Sequence, residues 1–295
     1  LGGEALLIRE GITAVPGAGS AKFFAFNAPA MNVGGDYAFR ASLQTGGSVN
    51  STNSAGIWQY DAAGVGQLLG RTGSGNVPGI PAASFTAFRD PTINAAGQVA
   101  FHATAAGAGG IWRYDGGAGE LVQRVGGVNP IGVPGGVVAA LEDPLLGSDG
   151  AVLYSAELQP NVGGVTAADA EGIWLAPLGA PAKLVARTGS GGVGGIAGAS
   201  YSDFLRYTMN GTGQLAFAAR LAHQAGVVDD TNDQGIWLAD ASGEQVLVAR
   251  TGTTLGGVPV EVAIFSSGTG VEDGRPRVLN DYGQLAYLVG PYDPA

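Results

Sequence analysis

The sequence predicts an all-β protein, a β-propeller of about five four-stranded blades with the last blade incomplete. Three observations carry this. An Asn-x-x-Gly turn leading into an apolar alternating run occurs around Asn32, Asn94, Asn210 and Asn280, with a weaker copy over residues 146–154 that has lost the Asn. Asn and Gly tolerate the positive φ of tight turns, and strict alternation places successive side chains on opposite pleat faces. Every apolar segment is short with period two, and none keeps a helical period over three turns. Finally, the marks recur at a repeat length of 53 to 63 residues, counted between the arginines 9, 71, 124, 187 and 250, which suits a blade better than the shorter coil of a solenoid.

Each repeat is ordered as four strands. Strand A is a short aromatic segment such as Phe23-Phe24-Ala25-Phe26 or Phe85-Thr86-Ala87-Phe88, usually closed by Pro (Pro29, Pro91, Pro144). Strand B follows the Asn-x-x-Gly turn and carries Phe39, Phe101, Tyr154 or Phe217. Strand C is Gly-Ile-Trp, at Trp58, Trp112, Trp174 and Trp237. Strand D is an apolar run ending in Arg, and a Gly/Pro-rich loop leads to the next repeat. The repeats fall at about 5–61, 67–115, 120–176, 183–240 and 246–295, and residues 1–295 read as one propeller domain.

The spacings separate packed parts from loops. From Arg to the Asn position is 23 residues in four repeats and 30 in the fifth; from Trp to the next Arg is 12 or 13. From the turn Gly to Trp it varies as 23, 15, 24 and 24, so the B–C connection is the variable loop on one face of the array. It is long and polar at Asn50-Ser51-Thr52-Asn53-Ser54 and Asp229-Asp230-Thr231-Asn232-Asp233.

Composition narrows the partners. The net charge is −10, charged residues are 13%, and Lys22 and Lys183 are the two lysines among 14 basic residues. That balance speaks against nucleic acid and anionic membrane surfaces. There is no cysteine, hence no disulfide framework or thiolate. No apolar stretch is long enough to insert in a bilayer as a helix. The sequence opens at Leu1 without an initiator Met or signal peptide, which reads as a processed or truncated chain, and processing would imply export. A surface this poor in charge and rich in Gly and Ala suits one partly covered by neighbouring subunits.

The B-turn-C-D pattern resembles blades of WD-repeat and Tol-associated propellers. More closely, the repeats resemble a secreted bacterial tandem-repeat family defined by Asn-x-x-Gly-x-x-Ala-Phe. The resemblance runs through the whole chain, departing from the pattern over residues 146–154 and at Tyr287, and implies an extracellular or cell-surface module. It implies no ligand or reaction, because function is grafted on a fold.

Candidate chemistry is sparse. The four Trp, inside apolar Ile-Trp pairs, are expected as blade-packing residues rather than sugar-stacking ones. The repeated Arg is expected to pair with carboxylates: Arg71 with Asp90, Arg124 with Asp143, Arg187 with Asp203. Asp229, Asp230, Asn232 and Asp233 resemble a calcium loop but lack a terminal bidentate Glu, so a solvated loop is the expected reading. His102 and His223 fall at different repeat positions, and no Gly-x-Ser-x-Gly elbow is present. The pairs Glu142-Asp143 and Glu272-Asp273 are sequence neighbours, which on a strand face opposite ways. No catalytic residue, metal or cofactor is expected, and the chain is expected not to be an enzyme.

Two functions follow. The first is a structural protein that assembles with its own copies into a fibre or surface layer. Its expected edge is strand B of the fifth repeat (Leu285, Tyr287, Val289), which no Gly-Ile-Trp follows, complemented by Leu6, Leu7 and Ile8 of another copy. The alternative is a glycan- or peptide-binding propeller using the B–C loops.

Overall fold

The computed structural model describes residues 8–11, 14–128, 130–260, 262–264 and 278–290. Twenty-three strands and one 3-10 turn at Ala167–Asp169 make up its regular structure. The first sheet holds β1 (Phe23–Phe26), β2 (Ala30–Met31), β3 (Tyr37–Leu43), β4 (Ala55–Tyr60) and β5 (Gly66–Arg71). The second holds β6 (Phe85–Phe88), β7 (Thr92–Ile93), β8 (Val99–Ala105), β9 (Ala108–Asp115) and β10 (Ala118–Arg124). The third holds β11 (Val138–Leu141), β12 (Leu145–Leu146), β13 (Val152–Leu158), β14 (Glu171–Ala176) and β15 (Lys183–Arg187). The fourth holds β16 (Tyr201–Met209), β17 (Leu215–Leu221), β18 (Gln234–Ala239) and β19 (Gln245–Arg250). Two small pairs follow: β20 (Thr254–Leu255) with β21 (Val258–Pro259), and β22 (Val262–Ile264) with β23 (Leu288–Gly290).

Each of the four sheets is an antiparallel meander in the order A-B-C-D, the arrangement of a propeller blade. Among the described residues, β22 and β23 form a two-stranded pair that falls where strands A and B of a fifth repeat are expected. By internal contacts the chain forms two compact units, residues 1–125 with 272–274 and residues 126–271 with 275–295. Sheets one and two lie in the first unit, and sheets three, four and the β22–β23 pair in the second. Among the described residues no helix is long and apolar enough to cross a membrane.

Strand A is broken where Pro stands. Pro29, Pro91 and Pro144 each separate two short segments that both pair with strand B, because Pro cannot donate to the ladder. In the fourth sheet Tyr207 occupies that place, and β16 runs unbroken for nine residues, with two register shifts.

The repeat motifs become packing rules. Trp58, Trp112, Trp174 and Trp237 are at most 1% exposed and pair across the ladder with Phe39, Phe101, Tyr154 and Phe217. The Gly two residues before each Trp is required by contact. A Cβ at Gly56, Gly110, Gly172 or Gly235 would stand 2.5–2.8 Å from the outer edge of its own strand's indole ring. Each indole N–H also donates to the carbonyl of Pro16, Pro78, Ile131 or Gly194 at 2.9–3.1 Å, tying the preceding Gly/Pro-rich loop to the blade.

Candidate binding loops and the acid group beside them

The Asn of each turn works twice. Its Oδ1 accepts from the backbone N–H four residues on, at 2.9 Å in Asn32, Asn94, Asn210 and Asn280, while the Gly after it (Gly35, Gly97, Gly213, Gly283) takes φ of 75–89°. Within the first unit Asn32 Nδ2 donates to the Asn94 carbonyl at 2.9 Å, and within the second Asn210 Nδ2 donates to the Asn280 carbonyl at 2.9 Å. The motif therefore joins one repeat to the next. Buried amides of this kind are costly to leave unpaired, which explains why Asn rather than any turn former stands there.

At the opposite ends of the strands, the arginine closing strand D holds the B–C loop. Arg71 Nε donates to the Asn53 carbonyl at 2.6 Å, Arg187 Nε to the Asp169 carbonyl at 2.7 Å, and Arg250 Nε to the Asn232 carbonyl at 2.7 Å. Arg187 adds an ion pair to Asp169 Oδ2 at 2.9 Å, and Arg250 a bond to Asn232 Oδ1 at 2.9 Å. The expected pairings of Arg71 with Asp90 and of Arg187 with Asp203 are thus corrected. Asp90 instead meets Arg40 at 2.9 Å. The reason is distance along the blade: the loop before strand C folds back onto the end of strand D, closer than the next repeat. Arg124, in the repeat with the shortest loop, reaches the Ala105 and Ala106 carbonyls at 3.5 Å.

Two of these loops share one internal design. Asn50 Oδ1 accepts from the Thr52 backbone N–H and hydroxyl, and the Asn53 side chain accepts from Asn50 N–H. Asp229, Thr231 and Asn232 repeat those three bonds. These bonds hold the Asp229 carboxyl below the usual carboxylate range, the Thr231 hydroxyl first, then its N–H. So the oxygens of Asp229 and Asn232 that suggested calcium ligands are turned onto their own loop. Asp230 lies 3.3 Å from His223 at the surface. Among the described residues no group of three His, Asp or Glu side chains is placed to hold a metal ion.

The second unit gathers a cluster of acids that are distant in the sequence. Glu171, at the start of strand C, is half-buried, and its Oε2 accepts from Phe204 N–H at 3.3 Å, a bond from the third sheet to the fourth. Burial, with added repulsion from Asp203, Glu157 and Glu142, pushes its carboxyl up to about 7. Tyr207, in the place of the broken-strand Pro, is pushed up by burial and then by Glu142, Asp143 and Glu171. A carboxyl that takes and gives a proton near neutrality can act as a general acid or base. Glu142 and Asp143 sit in the break of strand A, not on a strand, so the opposite facing expected of strand neighbours does not apply to them. Glu272 and Asp273 lie outside the described residues.

His102 is buried on β8 opposite Ile111. Leu6 and Leu7 lie outside the described residues, and Ile8 packs against the core of the first sheet. Leu285, Tyr287 and Val289 are partly buried against the fourth sheet.

Four-stranded meander sheets stitched by Trp and Asn define a repeat protein of the β-propeller class. The chain belongs to the family described as "Family of unknown function (DUF7453)", whose model matches residues 2–110 and 74–293. No match was found among curated proteins. Similar solved structures include the Dos1 propeller, at 8% identity and a TM-score of 0.36, covering 84% of this chain and 51% of that one. Another is the α-L-arabinofuranosidase Arb93A from Fusarium graminearum, at 9% identity and 0.32, covering 76% and 64%. A third is a gluconolactonase from Xanthomonas campestris, at 12% identity and 0.29, covering 96% and 91%. The chain spans about half the length of the first of these and under two thirds of the second. Two of the three are enzymes, so the expectation that the chain is not an enzyme is corrected: missing nucleophile and metal motifs do not exclude catalysis here. Likenesses at these scores assign it no reaction.

Proposed function

We propose that the chain is an extracellular binding propeller that recognises a glycan or peptide through its B–C loops. The observation that carries this is the recurrence of the arginine latch at Arg71, Arg187 and Arg250, each fixing a polar loop from below with a bond of 2.6–2.7 Å. Loops fixed before binding lose less entropy on contact, and polar side chains they still present to solvent, such as Ser51 and Asp230, match hydroxyl- and amide-rich ligands. The net charge of −10 directs the choice to neutral or cationic ligands. Arrays of neutral glycans and basic peptides, probed with the full chain, test it. Arg250→Ala should weaken capture of any hit at least about tenfold, the order of one lost charged hydrogen bond, with the circular dichroism spectrum unchanged. Equal capture by the variant, or capture unaffected when residues 229–233 are replaced by Gly and Ser, overturns the reading.

A second reading is a structural protein that assembles with its own copies at the cell surface through an edge strand. It is favoured by β23, whose partner among the described residues is β22 alone. Removing residues 1–10 should abolish polymers while leaving a β-rich monomer; polymers that survive the deletion rule out strand donation.

A further inference from the structure

Two asparagines stand two residues before a threonine with no proline between, in Asn50-Ser51-Thr52 and Asn210-Gly211-Thr212. This is the acceptor pattern for an N-linked glycan, and as sequence it marks both positions equally. The structure separates them. In each, the Asn Oδ1 accepts from the backbone N–H and the hydroxyl of its Thr. The distances are 2.9 and 2.6 Å at Asn50, and 3.1 and 3.0 Å at Asn210. What differs is the amide nitrogen, the atom to which a sugar is attached.

At Asn210 that nitrogen is committed. The residue is fully buried, and its Nδ2 donates to Gln214 Oε1 and to the Asn280 carbonyl, both at 2.9 Å. A sugar there would break the bond from the fourth repeat to the fifth turn and would have no room. Asn50 is the opposite case. With Ser51 and Thr52 it is exposed on the B–C loop of the first sheet. Its Nδ2 makes no hydrogen bond among the described residues, so its oxygen and its backbone alone hold the loop. A glycosylated Asn keeps that oxygen and one N–H, so both bonds from Thr52 survive attachment.

The fourth sheet provides the comparison. Its B–C loop has Asp229 where the first has Asn50, and Asp229 Oδ1 accepts from the Thr231 N–H and hydroxyl at the same 2.9 and 2.6 Å. Both loops need an oxygen at this position, and neither needs a nitrogen. The amide of Asn50 is therefore surplus to the fold.

We propose that Asn50 carries an N-linked glycan. The partner is an oligosaccharyltransferase, and the co-substrate is an oligosaccharide carried on a lipid pyrophosphate. Asn50 Nδ2 attacks the anomeric carbon and the C–N bond forms. The C–O bond to the pyrophosphate breaks, the lipid pyrophosphate leaves with the electron pair, and the amide loses one proton. Export, on which this rests, is common to the extracellular binding reading; nothing else is shared with it. The glycan covers the loop of the first sheet and leaves those of the third and fourth sheets open to a ligand.

Mass spectrometry of peptides from the chain as isolated from its own source tests this. The peptide with Asn50 should carry a sugar mass that peptide N-glycosidase removes, leaving Asp at that position, and the peptide with Asn210 should carry none. Asn50→Asp from the same source should lose the whole mass shift and keep the circular dichroism spectrum, since Asp229 shows that the loop holds with Asp. An unmodified Asn50 overturns the proposal, and so does a glycan on Asn210 of the folded protein. A parent chain that captures a ligand but bears no sugar sinks this inference alone. A glycosylated parent that captures nothing sinks the binding reading alone.

Discussion

Trp112→Ala is expected to destabilise the protein by about 3–5 kcal/mol, the usual cost of emptying a large aromatic site in a close-packed core. Trp112 is fully buried, its ring meets Phe85 edge-on at 4.9 Å, and the far edge of the ring lies where a Cβ on Gly110 would be. The cavity has little means of collapse, because Gly110 has no side chain to move in and β9 is paired on both sides. The Pro78 carbonyl also loses the indole N–H that now sits 3.0 Å away, adding about 1 kcal/mol. Trp112→Phe separates the two contributions: it refills much of the volume but leaves the carbonyl unsatisfied, so it should cost less, about 1–3 kcal/mol. A domain stable by about 5–15 kcal/mol survives the second change more readily than the first. Urea unfolding followed by circular dichroism measures both. A loss below about 1 kcal/mol for Trp112→Ala would mean that the ring is not part of the folded core.

How far the sequence could be read depended on whether a feature was periodic. The Asn-x-x-Gly turn, the Gly-Ile-Trp strand and the Arg-terminated strand recur in the same order along the chain, and each forms the predicted element among the described residues. Pro29, Pro91 and Pro144 were legible as ends of strand A, and the structure shows why the fourth sheet, with Tyr207, needs no break. The partner of each repeated Arg was not legible. Sequence interval favoured acids 19 residues later, whereas the guanidinium closes on a backbone carbonyl 18 residues earlier, and a carbonyl leaves no mark in composition. The fifth repeat was legible in part: its turn is formed by Asn280, but residues 265–277 lie outside the described ones. Glu171 was the least legible of all. Its neighbours Glu142, Glu157 and Asp203 are far apart in sequence, and no spacing rule gathers them.

That same residue sets a pH dependence. The Glu171 carboxyl is raised to about 7 from an ordinary 4.5, first by burial and then by Asp203, Glu157 and Glu142. A raised carboxyl favours folding while both states are protonated, below about pH 4.5. As pH climbs from there to about 7 the unfolded chain ionises and the folded one resists, so stability falls through that window and levels off above it. The shift sets an upper bound of about 3 kcal/mol, and partial exposure of the side chain brings the expected effect to about 1–2 kcal/mol. Glu171→Gln removes the ionisation while keeping an acceptor for the Phe204 N–H bond that links the third sheet to the fourth. At pH 8 the variant should therefore be more stable than the parent by about 1–2 kcal/mol, and at pH 4 the two should coincide. Chemical denaturation across pH 4–8 reads the difference directly. A parallel pair of curves, with no convergence on the acid side, would mean that Glu171 ionises as freely in the folded protein as in the unfolded chain, and Glu171 would lose its claim to a neutral-pH proton.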